Sequence, residues 1–119
     1  MFKKDPIKKI DIVDRLKVSE KILTKYPDCV PVIIRKRHGD KILQDIDREK
    51  YLIPKNLRIG EIMIIIRKHI QLEPKQAIFL FVGEGILVPT STSIWEIYKE
   101  HRDQDNFLYM TYCSENTFG

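Results

Sequence analysis

Long apolar runs are absent from this sequence, and cysteine, glycine and tryptophan are scarce. Of 119 residues, two are cysteine, five glycine and one tryptophan. No stretch approaches the ~18 consecutive apolar residues with which a helix crosses a bilayer. The run Ile62–Ile66, for instance, is closed off by Glu61 and Arg67. Membrane association is therefore expected to be peripheral or covalent. The opening residues, Met1-Phe2-Lys3-Lys4-Asp5-Pro6, carry charge with no apolar region behind them, so no secretory signal is expected.

Cys29 and Cys113 form neither a ligand pair nor a disulfide framework, and two packed thiols suit a reducing compartment. His38, His69 and His101 lack metal-ligand spacing. Neither cysteine has the local pattern of a nucleophile, and Gly83-Glu84-Gly85 lacks the residues that complete a phosphate loop. No catalytic residue, metal or cofactor is expected, and an enzyme is not the reading.

What is present is a globular balance, 43% hydrophobic and 32% charged, at a length that suits one domain. The net charge of +4 is uneven. Residues 1–50 hold 14 basic and 9 acidic side chains, a balance of 14 − 9 = +5, whereas the remainder holds 7 and 8, a balance of −1. A basic half suits acidic peptides, anionic lipid heads or nucleic acid.

Asp5-Pro6 predicts the start of a short first helix. A second, from about Asp11 to Lys25, follows from the stripe Ile12, Leu16, Ser19, Leu23 and Tyr26, and Pro27 stops it. Cys29 to about Arg37 reads as a strand, His38-Gly39-Asp40 as a turn, and Lys41–Asp45 as the returning strand. Pro31 lacks a donor, so its nitrogen must face away from a ladder partner or lie at an edge. Tyr51-Leu52-Ile53 is short and extended before Pro54.

Gly60–Leu72 is read as a helix, with Ile62, Ile65, Ile66 and His69 at helical spacing. Ala77–Val82 reads as a central strand covered on both faces. Ser93 and Glu96 form a capping box for a short helix, and Phe107–Tyr112 is the last strand. The expected fold class is α+β, a ubiquitin-like β-grasp with two extra N-terminal helices. Its first and last strands would pair in parallel across a long crossover. Residues 1–26 would form the helical extension, 27–113 the core and 114–119 an exposed tail, in one compact domain.

Several strings carry a family resemblance. Lys25-Tyr26-Pro27-Asp28-Cys29-Val30-Pro31-Val32-Ile33 and Asp45-Ile46-Asp47-Arg48-Glu49-Lys50-Tyr51-Leu52-Ile53-Pro54 are the most specific. Ile66–Leu72, Phe79–Val82, Pro89-Thr90-Ser91, Ile97–His101, Phe107-Leu108-Tyr109 and Phe118-Gly119 follow in register. From about residue 12 onward, the chain resembles the autophagy ubiquitin-like modifiers of the GABARAP type.

The resemblance implies that the carboxylate of Gly119 is taken up by ubiquitin-like activating and conjugating enzymes and passed to phosphatidylethanolamine. A processing or deconjugating cysteine protease would act on the same end. Glycine suits this role because the chain end must thread narrow channels, and it has no Cβ to clash. The stretch from Ser114 to Gly119 would reach ~20 Å if extended. Family precursors usually carry residues beyond this glycine, and none follows here.

The resemblance also implies capture of cargo receptors through aromatic-x-x-aliphatic peptides bound as an added β-strand. Ile22, Pro31, Ile33, Lys50, Leu52 and Phe107 would hold the aromatic side chain. Tyr51, Ile53, Pro54, Leu57, Ile62 and Ile65 would hold the aliphatic one, with Arg48 and Lys50 meeting acidic flanks. Cys29 and His69 stand where the family usually has arginine, and Ile62 where it usually has an aromatic. A smaller, less cationic aliphatic hollow is the expectation. The protein would be cytoplasmic, and on autophagosomal membranes when lipidated. Two alternatives stand beside this reading: an adaptor that is not conjugated, and a basic nucleic-acid-binding module using Lys3, Lys4, Lys8, Lys9, Arg35, Lys36 and Arg37. Interleaved aspartates and the lack of an aromatic stacking platform count against the module, and nucleic acid is not an expected partner.

Overall fold

The computed structural model describes residues 4–83 and 85–115, and for residues 4–11 the backbone alone. The expectations for residues 1–3, for Glu84 and for the tail residues 116–119, Gly119 included, lie outside the described residues.

Apolar and β-branched residues build β1 (Cys29–Lys36), in which Val30 through Ile34 are all buried. A strand covered on both faces needs layers above and below it. β1 lies within a five-stranded mixed sheet of order β2-β1-β5-β3-β4. Its other members are β2 (Lys50–Pro54), β3 (Ile78–Val82), β4 (Ile86–Leu87) and β5 (Leu108–Ser114). β1 runs antiparallel to β2, with Val32 opposite Tyr51, and parallel to β5, with Val32 opposite Leu108. The first and last strands thus pair in parallel, as the crossover requires.

The two faces of this sheet carry different layers. Val30, Val32 and Ile34 join Ile53, Leu108, Met110 and Tyr112 in a core shared with α2 (Ile59–His69) and α3 (Ile94–His101). By the alternation of a strand, Pro31 and Ile33 turn to the other face, where Tyr109 lies level with Ile33. α1 (Lys4–Lys25) covers that second face. Ser19, the small member of its stripe, is buried and donates to the Asp105 carbonyl at 2.7 Å. Arg15 donates from Nε to the buried Asp105 carboxylate at 2.7 Å, and the Tyr109 hydroxyl donates to the same group. Burial, together with that hydrogen bond, pushes the Tyr109 hydroxyl up to about 12.

α1 is one unbroken helix where two were expected. Nothing between Ile7 and Tyr26 is proline or glycine, and Pro6 falls in the first turn, where its missing N–H would have no partner anyway. At the start of α2 the cap residue Arg58 offers no side-chain acceptor, and Glu61 Oε1 accepts the Arg58 N–H at 2.9 Å. The first N–H groups, of Ile59 and Gly60, donate instead to the carbonyls of Thr92 and Thr90 at 3.0 and 2.9 Å. It ends at His69, short of the expected Leu72, in a Schellman turn. Gln71 is left-handed (φ 52°) and the Leu72 N–H reaches the Arg67 carbonyl at 3.1 Å. The capping box of α3 is formed as expected: Ser93 Oγ accepts from the Glu96 N–H, while the Ser93 N–H donates to Glu96 Oε1.

Two further expectations need correction. The strand returning from β1 is β2, not Lys41–Asp45, which is irregular. Ser114, expected to open an exposed tail, is buried and ends β5 opposite Ile78. β3 starts at Ile78, one residue later than expected, and is interior to the sheet as expected, paired with β5 on one side and with the two-residue β4 on the other.

Asp40 explains both of these corrections. Gly39, at φ 92°, turns the chain out of β1 in a conformation that favours glycine. The buried Asp40 carboxylate then accepts the N–H groups of Ile42 and Leu43 at 2.8 and 3.0 Å, so these cannot join a ladder. Its other oxygen accepts the Ser114 N–H at 2.7 Å and draws in the end of β5. Burial alone would raise its pKa, but the Ser114, Leu43 and Ile42 N–H groups outweigh it and hold the carboxyl at about 2, from an ordinary 3.8.

A carboxylate depressed in the folded state stabilises above its unfolded pKa and loses that contribution as the pH falls through its folded one. Allowing for nearby solvent, Asp40→Asn is expected to cost about 1–2 kcal/mol at neutral pH. In denaturant titrations the gap from wild type should close between about pH 4 and about pH 2. A gap that persists unchanged through that window would show that the charge is not what matters.

Candidate functional site

Among the described residues β2 has a neighbour on one side only. Its register with β1 decides which of its peptide groups are free. The Ile34 N–H donates to the Glu49 carbonyl at 2.8 Å and the Lys55 N–H to the Asp28 carbonyl at 2.9 Å. In an antiparallel ladder this makes Val30–Ile53 and Val32–Tyr51 the hydrogen-bonded pairs, and Pro31–Leu52 and Ile33–Lys50 the pairs without direct bonds. Lys50 and Leu52 therefore turn their N–H and C=O groups outward along an open edge. Pro31, having no N–H to offer, falls where β1 turns its peptide groups away from β2 and before the parallel pairing with β5 begins at Val32. That is one of the two placements expected of it.

The same alternation splits the expected site into its two halves. Leu52 and Lys50 lie across from Pro31 and Ile33 on the face that α1 covers. Phe107, immediately before β5, belongs to that face and is buried. Ile22 stands half-buried on α1. Leu52, 40% exposed, is the open apolar member of this group.

Tyr51 and Ile53 turn to the opposite face, toward α2. There Ile62, Ile65 and His69 follow one another at i, i+3 and i+7, and the Tyr51 ring meets the His69 ring edge-on with centroids 5.8 Å apart. Leu57 is half-buried and packs against the core, while Pro54 is exposed. Ile62 is only 1% exposed, so it belongs to the core and can line a hollow only from beneath. Ile65, at 37%, is the open member on α2.

Charge frames the edge. Lys50 and Arg48 are exposed. Asp47 pairs with His69, Oδ1 to Nδ1, at 3.1 Å, and Glu49 with Arg35 Nε at 3.2 Å. The helical stripe put His69 on the correct face of α2, but its partner Asp47 lies too far away in the chain for pattern to disclose. Tyr51 is the anomaly. Its hydroxyl is buried with no hydrogen-bond partner among the described residues. Burial, and then the charge of Asp47, push its pKa up. Cys29, half-buried, lies opposite Pro54 at the end of the ladder. Among the described residues no group of three or more potential metal ligands comes together.

A family model described as "Autophagy protein Atg8 ubiquitin like" matches residues 14–119. Autophagy-related protein 8d of Arabidopsis thaliana is 48% identical over 101 residues, covering 85% of this chain and 82% of that protein. Autophagy-related protein 8 of Schizosaccharomyces pombe is likewise 48% identical over 101 residues, with 85% and 82% covered. Among solved structures, the crystal structure of Trypanosoma brucei ATG8 superposes with a TM-score of 0.79 at 31% identity, covering 87% of this chain and 88% of that one.

The unpartnered hydroxyl of Tyr51 costs desolvation without return, so Tyr51→Phe should leave the fold as stable or raise its unfolding free energy by about 1 kcal/mol. Urea denaturation of the two proteins measures this. A loss of more than about 1 kcal/mol would mean that the hydroxyl has a partner in solution.

Proposed function

The chain belongs to the Atg8 family of ubiquitin-like autophagy proteins, and on that premise we propose that it is a modifier joined through Gly119 to phosphatidylethanolamine, whose body captures aromatic-x-x-aliphatic peptides along β2. The observation that carries the peptide half is the open edge at Lys50 and Leu52, with an exposed apolar side chain on each face beside it, Leu52 toward α1 and Ile65 on α2. A peptide laid along that edge would exchange main-chain hydrogen bonds with Lys50 and Leu52. Its alternate side chains would fall toward Leu52, Pro31, Ile33, Phe107 and Ile22 on one face, and toward Tyr51, Ile53, Pro54, Leu57 and Ile65 over Ile62 on the other.

The energetics suit a reversible adaptor. Two buried anchors contribute ~1.5–3 kcal/mol each and a few strand bonds ~1 kcal/mol each. The sum approaches the ~8 kcal/mol of a micromolar complex before ordering costs. Lys50 and Arg48 favour acidic residues flanking the peptide. With His69 paired to Asp47 and with no arginine at position 29, the aliphatic side is less cationic, and small aliphatic side chains fit it best.

The tail half rests on the family resemblance of Phe118-Gly119. Activating and conjugating enzymes would carry Gly119, a cysteine protease would process or release it, and two acyl chains would then hold a chain in which no described helix can cross a membrane. The protein acts as a carrier and adaptor, cytoplasmic when free and on autophagosomal membranes when lipidated.

Leu52→Ala is expected to weaken a labelled aromatic-x-x-leucine peptide by about tenfold or more in fluorescence anisotropy, the loss of one anchor. An unchanged affinity would remove β2 from the site. In a reconstituted reaction with the activating and conjugating enzymes, wild type should acquire phosphatidylethanolamine while Gly119→Ala should not. Failure of the wild type would leave the adaptor role alone.

A further inference from the structure

The peptide edge does not use the other end of β1, where Arg35, Lys36, Arg37 and His38 follow in succession. Arg35 lies in β1 and Arg37 one residue past its end, where the Arg37 N–H still bonds the Tyr112 carbonyl, and their contacts with Tyr109 and Phe81 put both on one face of the sheet. On the sheet face that carries Tyr109 and Thr111, they border a cavity of about 950 Å³, closed on its far side by Gly83, Ile86 and the end of α3. His101, Arg102 and Asp103 complete the wall.

Two features make this more than a solvated basic stretch. First, the guanidiniums are seated on rings: Arg35 lies 5.8 Å from the Tyr109 centroid and Arg37 5.6 Å from that of Phe81. Each ring lies within cation–π range of its guanidinium and steadies it, while the terminal N–H groups, beyond the Arg35 Nε–H that Glu49 accepts, can fork onto an oxyanion. Second, among the described residues the charge is poorly compensated. Among the described residues Arg35 has Glu49, both exposed, whereas Arg37 and Arg102 have no carboxylate partner, and Arg102 donates only to the Asn106 side-chain oxygen at 3.3 Å. Asp103 is the one carboxylate among the described lining residues. Lys36 is directed elsewhere, to Asp45 and the Leu43 carbonyl.

Planar forks spaced along a strand match phosphate oxygens, and the cavity has room for a phosphorylated ring. Its position selects the source. The Arg37 N–H donates to the Tyr112 carbonyl at 2.7 Å, so the cationic end of β1 lies two residues before the end of β5. From Ser114 the five remaining residues can extend only ~17 Å. On the reading that Gly119 carries a lipid, the tether leaves from the same end of the sheet as the cationic end of β1, which keeps that end toward the bilayer.

We propose that the Arg35–Arg37–Arg102 cavity binds the phosphate-bearing headgroup of an anionic membrane lipid. The surface that grips a headgroup is distinct from the β2 edge, so a chain resting on an anionic membrane would keep its peptide edge free.

The test uses the full unconjugated chain, so its outcome is independent of whether Gly119 is lipidated. Vesicles of phosphatidylcholine, alone or with about one part in ten phosphatidylinositol bisphosphate, are floated with wild type, Arg35→Gln/Arg37→Gln, and Lys17→Gln/Lys21→Gln, the last removing the same charge from the exposed side of α1. Wild type should float with the phosphoinositide vesicles only, and the arginine pair should bind about thirtyfold more weakly. The lysine pair should stay within about twofold of wild type, and all three should unfold at closely similar urea concentrations, which reports an intact fold. Equal losses from the two pairs, or equal flotation on neutral vesicles, would overturn the proposal. So would soluble inositol trisphosphate or a single-stranded oligonucleotide that binds through the same arginines more tightly than the vesicles do.

Discussion

The register between β1 and β2 is the constraint on which the rest of the molecule depends. With Val32 opposite Tyr51, the hydrogen-bonding groups of Lys50 and Leu52 face outward while their side chains lie on the sheet face that α1 covers. Tyr51 and Ile53 meanwhile point at α2. A slip of one residue would send every side chain to the opposite face and place Lys50 against the Ile59–Ile62–Ile66 core. Burial holds the register in place, because Ile53 and Val30 must both face that core.

Around this edge the fold divides its polar groups between two buried carboxylates. Asp105 gathers Arg15, Tyr109 and the turn before β5, and seats α1 on the sheet. Asp40 gathers the loop after β1 and the end of β5. Each is fully supplied with donors, the condition under which a buried charge specifies structure instead of destabilising it. Without Asp105 α1 would lose its polar anchor on the sheet; without Asp40 the last strand would lose its terminus.

Pattern alone disclosed the elements whose cause is local. The Ser93–Glu96 box, the isoleucine stripe of α2 and the apolar run of β3 each carry their own signal. Pro31 announced the two kinds of place a proline can occupy beside a strand ladder, of which it takes one. The errors arose where a distant group decides the outcome. Lys41–Asp45 looks like a returning strand until Asp40 takes two of its N–H groups, and Ser114 looks like tail until the same carboxylate takes its own. The split of the candidate site into two faces follows from strand alternation and was legible. The Asp47–His69–Tyr51 contact and the orphaned Tyr51 hydroxyl were not, because they join positions that only the folded chain brings together.

The parallel pairing of β1 with β5 has a mechanical consequence. Any pull on the chain beyond Ser114 enters the molecule along the axis of its central strand, which is bonded on one flank to β1 and on the other to β3. Those bonds lie across the line of tension, so they share the load and must yield together instead of peeling one after another. Asp40, gripping the last strand residue, stands at the point where such a load first arrives.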